Sequence, residues 1–191
     1  MNSEQTLGRR LHRALLLARI PASILMGAAI LLLAQPTISS WLLGLGVVAI
    51  GESLRIWASG HIHKSAEVTT TGPYAMCRHP LYLGHLLVAA GFCIAGASWI
   101  AFIIVGISFF VIYMPTWKNE EKNLIALFGD TYRNFLVTTP ALLPRWNSRV
   151  CSGSFDWALV SQHREWKHAA ALAGGMLLMI AIGLLRGTLV L

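Results

Sequence analysis

Five apolar runs, at residues 14–34, 41–58, 81–97, 99–114 and 169–185, govern what this chain can become. A helix needs roughly 20 mostly apolar residues to cross a bilayer, where it alone of the open structures satisfies its own backbone polar groups. Composition agrees: 55% of residues are hydrophobic and 12% charged, too few charges to cover a water-facing surface. The sequence therefore predicts an all-α integral membrane protein with about five transmembrane helices. The third and fourth runs are short and separated only by Ser98, which with Gly96 and Ala97 makes a tight turn. They are expected to form an antiparallel helical hairpin whose arms are short for a full crossing.

The formal net charge of +7 would suggest nucleic acid on a soluble protein, but here the basic residues flank apolar runs, and no nucleic-acid partner is expected. Arg9, Arg10, Arg13 and Arg19 precede or open the first run. Lys64 and Arg78 lie between the second and third. Lys118, Lys122, Arg133, Arg145, Arg149, Arg164 and Lys167 lie between the fourth and fifth. The other connections, 35–40 and the Ser98 turn, hold none, and the C-terminal end holds only Arg186. Basic residues mark the cytoplasmic side. The N-terminus is thus expected in the cytoplasm, of a plasma membrane or, in a bacterium, the inner membrane, and five crossings put the C-terminus outside. The first run is read as an uncleaved helix rather than a signal peptide. Both sizeable polar stretches, 59–80 and 115–168, fall on the cytoplasmic face, so the chemistry is expected there. The cysteines Cys77, Cys93 and Cys151 have no CxxC spacing and are expected as free thiols, with no metal set.

The first polar stretch contains Gly72-Pro73-Tyr74 and then Cys77-Arg78-His79-Pro80-Leu81-Tyr82-Leu83-Gly84. Pro80 suits the first turn of the third span, where a missing N–H costs nothing. Arg78 and His79 are then held at the mouth of that helix, whose positive end favours an anionic group. Gly84 permits close approach of a backbone or a ligand ring. The second stretch contains Glu120-Glu121, then Leu124, Leu127, Phe128, Gly129, Tyr132 and Phe135, an amphipathic pattern at helical spacing with a break or kink near Gly129. The hairpin brings the two stretches together. Basic residues at a helix end, two carboxylates, and Tyr74, Tyr82, Tyr113, Trp117 and Tyr132 at a membrane boundary match the groups of S-adenosylmethionine: its hydroxyls, amino group, carboxylate and sulfonium. Without a glycine-rich strand-to-helix loop, helices and loops must hold such a cofactor.

At these residues the chain resembles the superfamily of membrane methyltransferases that includes isoprenylcysteine carboxyl methyltransferases and phospholipid N-methyltransferases. The matching run is Thr70-Thr71-Gly72-Pro73-Tyr74, Arg78 to Gly84, then Glu120-Glu121, Leu124, Phe128-Gly129, Tyr132 and Pro144-Arg145, over roughly residues 50–146. The resemblance implies transfer of a methyl group from S-adenosylmethionine to a lipid or lipidated, prenylated substrate. It implies cofactor contacts from Gly72, Tyr74, His79, Pro80, Tyr82, Leu83, Gly84, Glu120 and Glu121, and catalytic roles for Arg78 and Glu121. An amine N-methyltransferase is the alternative. Two positions depart from the pattern. Thr116 stands where the isoprenylcysteine branch commonly has an Arg, and Phe135 replaces the second Tyr of a Tyr-x-x-Tyr ending. The chain divides into an N-terminal part with two spans (1–58), a methyltransferase core (59–146), and an amphipathic linker with the last span (147–191), whose expected role is anchoring.

Rival readings are a haem or metal protein using His61, His63, His79 and His85, and a non-catalytic lipid-binding scaffold. Glu52 and Arg55, at i and i+3 inside the second span, are expected to pair with each other rather than to line a cavity. A Glu→Gln change at either Glu120 or Glu121 is expected to weaken cofactor binding without affecting stability.

Overall fold

The computed structural model describes residues 24–63 and 67–189. The start of the first expected span, its arginines and Lys64 lie outside the described residues. All regular structure among the described residues is helical. Helix α1 is described over Ile24–Leu33, and α2 spans Ile38–Ser59. The short α3 (Pro73–Met76) leads into α4 (Pro80–Ala95), and a turn at Gly96 joins α4 to α5 (Trp99–Phe128). Then come α6 (Asp130–Thr138), a 3-10 turn at Ser148–Cys151, the short α7 (Trp157–Gln162) and α8 (Glu165–Leu185). Helices α2, α5 and α8 are long and apolar enough to cross a membrane, whereas α1 as described and α4 are shorter. Ile50, Phe102, Ile103, Ile107, Phe110 and Leu177 stay exposed along these helices, as suits side chains solvated by lipid.

The hairpin forms, but its two arms differ. Helix α4 has 16 residues, about 24 Å at 1.5 Å per residue. Helix α5 has 30 residues, about 45 Å, and corrects the expectation of a short fourth span ending at residue 114. It runs through Pro115, so Glu120 and Glu121 ride on the same helix instead of a separate one. Gly129, with φ of 58°, ends it. A left-handed φ of this kind costs a side chain energy and glycine little, so the expected break near Gly129 is where α5 gives way to α6. Helix α8, the last expected span, begins four residues before its apolar run, at Glu165, and the short α7 precedes it.

Helices α2 and α4 meet along a seam of glycines. A Cβ on Gly44 would lie 2.5 Å from the Gly91 carbonyl oxygen, one on Gly51 would lie 2.9 Å from that of Gly84, and one on Gly84 would lie 2.5 Å from Arg55 Cγ. Small residues allow helix backbones this close. Gly84 thus admits the neighbouring helix. At one end of the bundle, Gln35 N–H donates to the Gly96 carbonyl at 2.7 Å, Arg186 donates to the carbonyls of Ala34 and Leu32, and Ile30, Ala34, Ala95, Ala101 and Met179 pack below.

At the other end the segment 139–156 lies along residues 60–79. The Arg78 and His79 N–H groups donate to the carbonyls of Pro140 (2.8 Å) and Ala141 (3.1 Å). Arg145 N–H donates to Met76, Asn147 Nδ2 to Ala75, Gly72 N–H to Arg149 and Ser152, and Asp156 N–H to Gly60. These bonds satisfy backbone groups that have no helical partner, and they lock α3 and the start of α4 in place.

Candidate functional site

At this end of the bundle lies a cavity of about 540 Å³, bordered by residues 62, 63 and 67–69 and by the starts and ends of the helices. Its motif end is built from the starts of α3 and α4 and the far end of α5. Tyr74, Arg78, His79, Pro80, Tyr82 and Glu120 line it, together with Asn123, Leu124, Tyr132 and Phe135. Glu121 grips from behind: Oε1 accepts from Arg78 Nε and from His79 Nε2, both at 2.9 Å. Arg78 Nη1 also donates to the carbonyls of Leu136 (3.1 Å) and Thr139 (2.5 Å). Burial holds His79 below the usual histidine range, despite the opposing pull of Glu121; it is a neutral ring donating through Nε2, stacked on Trp117 at 5.8 Å between centroids. Tyr82 Oη donates to Glu120 Oε2 at 3.1 Å, and Glu120 itself is exposed.

Tyr74 is 6% exposed, and its hydroxyl has no partner. Burial raises its pKa first and the Glu120 charge adds to this, so it remains a phenol. Burial likewise pushes the Cys77 thiol up to about 11 and raises Tyr132. Gly72, Leu83 and Gly84 stand off the cavity wall. The Gly72 φ of 56° seats its backbone against the 3-10 turn, where a Cβ would meet the His61 ring. Thr116 Oγ1 donates to its own helix, to the Ile112 carbonyl at 2.8 Å.

The same cavity has a second polar end that the motifs do not mark, lined by Arg55, His85 and Glu165. Arg55 does pair with Glu52, Nε to Oε2 at 3.2 Å, but the expectation that it stays away from a cavity is overturned. Its Nη1 donates to His85 Nε2 at 2.7 Å and its Nη2 to Glu165 Oε2 at 2.6 Å. Ser59 Oγ donates to Glu165 Oε1 at 2.8 Å, and His168 Nδ1 to Glu52 Oε2 at 2.8 Å. The signal for this end was Arg55 itself, since an arginine inside a span needs more than one neighbour at i−3 to offset its cost. Glu165, on a helix expected only to anchor, is the partner the sequence reading missed.

The four histidines weighed as metal ligands go to different places. His61 donates to the Trp57 carbonyl and packs on Phe155, His63 is 3.4 Å from Glu67, His79 meets Glu121, and His85 meets Arg55. Among the described residues, Glu52, Glu165 and His168 have ligand atoms within 4.8 Å of one another, but the Arg55 guanidinium already bridges the two carboxylates.

Fold and site define a helical membrane protein with a polar chamber at an end of its bundle, where apolar helices meet a polar segment. The chain belongs to the phospholipid methyltransferase family, which matches residues 23–131. It is similar to the nickel-cobalt-cadmium resistance protein NccN of Alcaligenes xylosoxydans xylosoxydans, 32% identical over 54% of this chain and 48% of that protein. It is also similar to the protein-S-isoprenylcysteine O-methyltransferase of Mus musculus (29% identical; 53% of this chain, 40% of that one). A third relative is methanethiol S-methyltransferase 2 of Bradyrhizobium diazoefficiens (35%; 38% and 27%). The chain spans half or less of the length of these relatives. No solved structure matches it.

Proposed function

We propose that the protein is an S-adenosylmethionine-dependent methyltransferase acting on a lipid-like or prenylated acceptor at the membrane, with its N-terminus and its chamber on the cytoplasmic side. The observation that carries this reading is the meeting of the two motif stretches in one cavity: Arg78, His79 and Tyr82 from the start of α4, Glu120 from α5, and the unpartnered Tyr74 hydroxyl between them. The donor set fits the cofactor. Glu120 has one donor, Tyr82, and can accept hydroxyl or amino hydrogens. Tyr74 Oη offers a hydrogen bond, the aromatic face of Tyr82 suits a cation, and the volume admits a molecule of this size. Glu121 fixes Arg78 and His79 and so holds the wall in shape. When bound, the cofactor supplies an activated methyl group; the chain's part is positioning and exclusion of water, and no nucleophilic residue is required.

The acceptor's tail is expected in the lipid. Leu124 and the exposed Leu127 border the chamber on α5, and each buried CH₂ of a tail contributes about 0.8 kcal/mol. The three sequence segments all serve this site, through Arg55 in the first, the motifs in the second and Glu165 in the third. Calorimetry of the purified protein with S-adenosylhomocysteine tests the reading, and binding that weakens in Tyr82→Phe is the expected result. Absence of binding to the folded protein would refute it.

A further inference from the structure

The Arg55 end of the chamber has a charge balance that says what it accepts. Two carboxylates, Glu52 and Glu165, face one guanidinium, and the three residues Glu52, Glu165 and Arg55 are buried at 8%, 6% and 6% exposure. Glu52 Oε1 has no partner. Across the cavity the Tyr74 hydroxyl is buried and unpartnered and feels the charges of both Glu120 and Glu165. An orphaned buried polar atom is costly unless something completes it, so this hydroxyl marks a place for a ligand atom.

Both arginines lining the cavity are already committed. Arg78 is spent on Glu121 and two carbonyls; Arg55 donates to Glu165 and His85, and its Nε lies 3.2 Å from Glu52 as an ion pair, without a hydrogen bond. Among the described residues no lysine lines the chamber. Among the described residues, an anionic acceptor at the Arg55 end therefore meets the Glu165 carboxylate with no uncommitted arginine or lysine beside it, in surroundings where like charges are poorly screened. A carboxylate also has no proton to lose on methylation, so Glu165 would have none to receive from it. An amine or a thiol must lose one.

We propose that the Arg55–Glu165 end is the acceptor subsite, that it takes a protic acceptor, an amine or a thiol rather than a carboxylate, and that Glu165 receives the proton. This rests on the methyltransferase reading. The acceptor's lone pair forms the bond to the methyl carbon of a sulfonium donor, the carbon–sulfur bond breaks with its electron pair left on sulfur, and the acceptor's proton passes to the Glu165 carboxylate. One proton leaves the acceptor for each methyl gained, so charge balances.

Glu165 is chosen over its neighbours by geometry. His85 Nε2 accepts from Arg55, which can only donate; a proton placed there would break that bond and set two cations face to face. Glu52 does not line the cavity. Each Glu165 oxygen takes one donor, from Ser59 or Arg55, and keeps a lone pair open. The titratable and charged groups around it are Glu52 and Arg55 from α2, Tyr74 from α3, His85 from α4, and His168 from its own helix, with His163 in the turn before it.

The test uses the full chain in lipid nanodiscs and three amphiphiles with one long alkyl tail, ending in a primary amine, a thiol or a carboxylate. Without any methyl donor, the amine or the thiol is expected to raise the unfolding temperature and the carboxylate is not. With labelled S-adenosylmethionine, label is expected on the amine or the thiol and not on the carboxylate. Glu165→Gln is expected to keep S-adenosylhomocysteine affinity while losing turnover near neutral pH, with the loss recovering about tenfold per pH unit as the acceptor ionises by itself; a misfolded variant would show no such recovery. Methylation of the carboxylate at a rate equal to the others, or an unchanged pH profile in Glu165→Gln, overturns the proposal. Binding of S-adenosylhomocysteine with no label on any acceptor overturns it while leaving the cofactor reading intact. Failure of the wild-type protein to bind S-adenosylhomocysteine removes both.

Discussion

Glu120 and Glu121 are adjacent in sequence and opposite in circumstance. Glu121 has a side chain 15% exposed and accepts from both Arg78 and His79, so neutralising it leaves a guanidinium with carbonyl partners alone. Glu120 is exposed, with a single tyrosine as donor. The expectation that either change would spare stability is therefore narrowed to Glu120. Glu121→Gln should cost about 1–3 kcal/mol of apo-protein stability, the range for breaking hydrogen bonds to charged groups, and lower the unfolding temperature. Glu120→Gln should leave that temperature unaltered and weaken S-adenosylhomocysteine binding. Thermal unfolding and calorimetry of both variants check this, and equal loss of stability in the two would show the difference in environment to be unimportant. The sequence brought the pair to Arg78 and His79 through the hairpin, but it did not say which carboxylate turned inward. Successive helical residues point about 100° apart, and the rotation of α5 is set by Phe109, Tyr113 and Trp117 packing against α4 side chains such as Tyr82 and Leu86.

Among the elements, α2 and α4 carry the heaviest constraint, because their glycine seam sets where Arg55 meets His85. A Cβ on Gly51 would stand 2.9 Å from the Gly84 carbonyl oxygen and from the Val88 backbone nitrogen, neither of which can rotate away, whereas one on Gly46 meets nothing within 4 Å. Gly51→Ala should thus destabilise by about 1–3 kcal/mol through overpacking, and Gly46→Ala should be neutral or slightly stabilising by helix propensity. Unfolding temperatures of the two variants in the same detergent decide it; a Gly51→Ala protein as stable as wild type would mean the seam is looser than these distances. Helix existence was legible from the apolar runs, yet the extent of α5 was not. Pro115 looks like a stop, but in a helix it removes one hydrogen bond, and 116–128 supply Lys, Glu, Leu and Ala, which favour helix. The glycine seam was equally silent, since Gly44, Gly51, Gly84 and Gly91 acquire meaning only when two helices are laid together.

At the scale of the whole molecule, the two ends of the bundle divide the polar chain as the basic residues do. The connections at Gln35, Gly96 and Arg186 bond to one another at one end, while residues 60–79 bond to 139–156 at the other. That division was readable from the placement of arginines and lysines. The strap 139–156 was not, because it has no periodic pattern and is held mostly by backbone bonds that any residues could make, with Asn147 adding a side-chain bond to Ala75. Sidedness gives a test that needs little engineering. Cys77 and Cys93 are buried at 1% and 2% exposure, and burial pushes the Cys77 thiol up to about 11, so neither should react with a polar maleimide at neutral pH. Cys151 is exposed at the chamber end. In right-side-out vesicles a membrane-impermeant maleimide should leave Cys151 unmodified until the membrane is opened. The thiol introduced by Gln35→Cys, at an exposed position of the opposite end, should react in intact vesicles. Modification of Cys151 and of that introduced thiol from the same side would contradict the proposed orientation, because the helices between them carry the chain from one end of the bundle to the other.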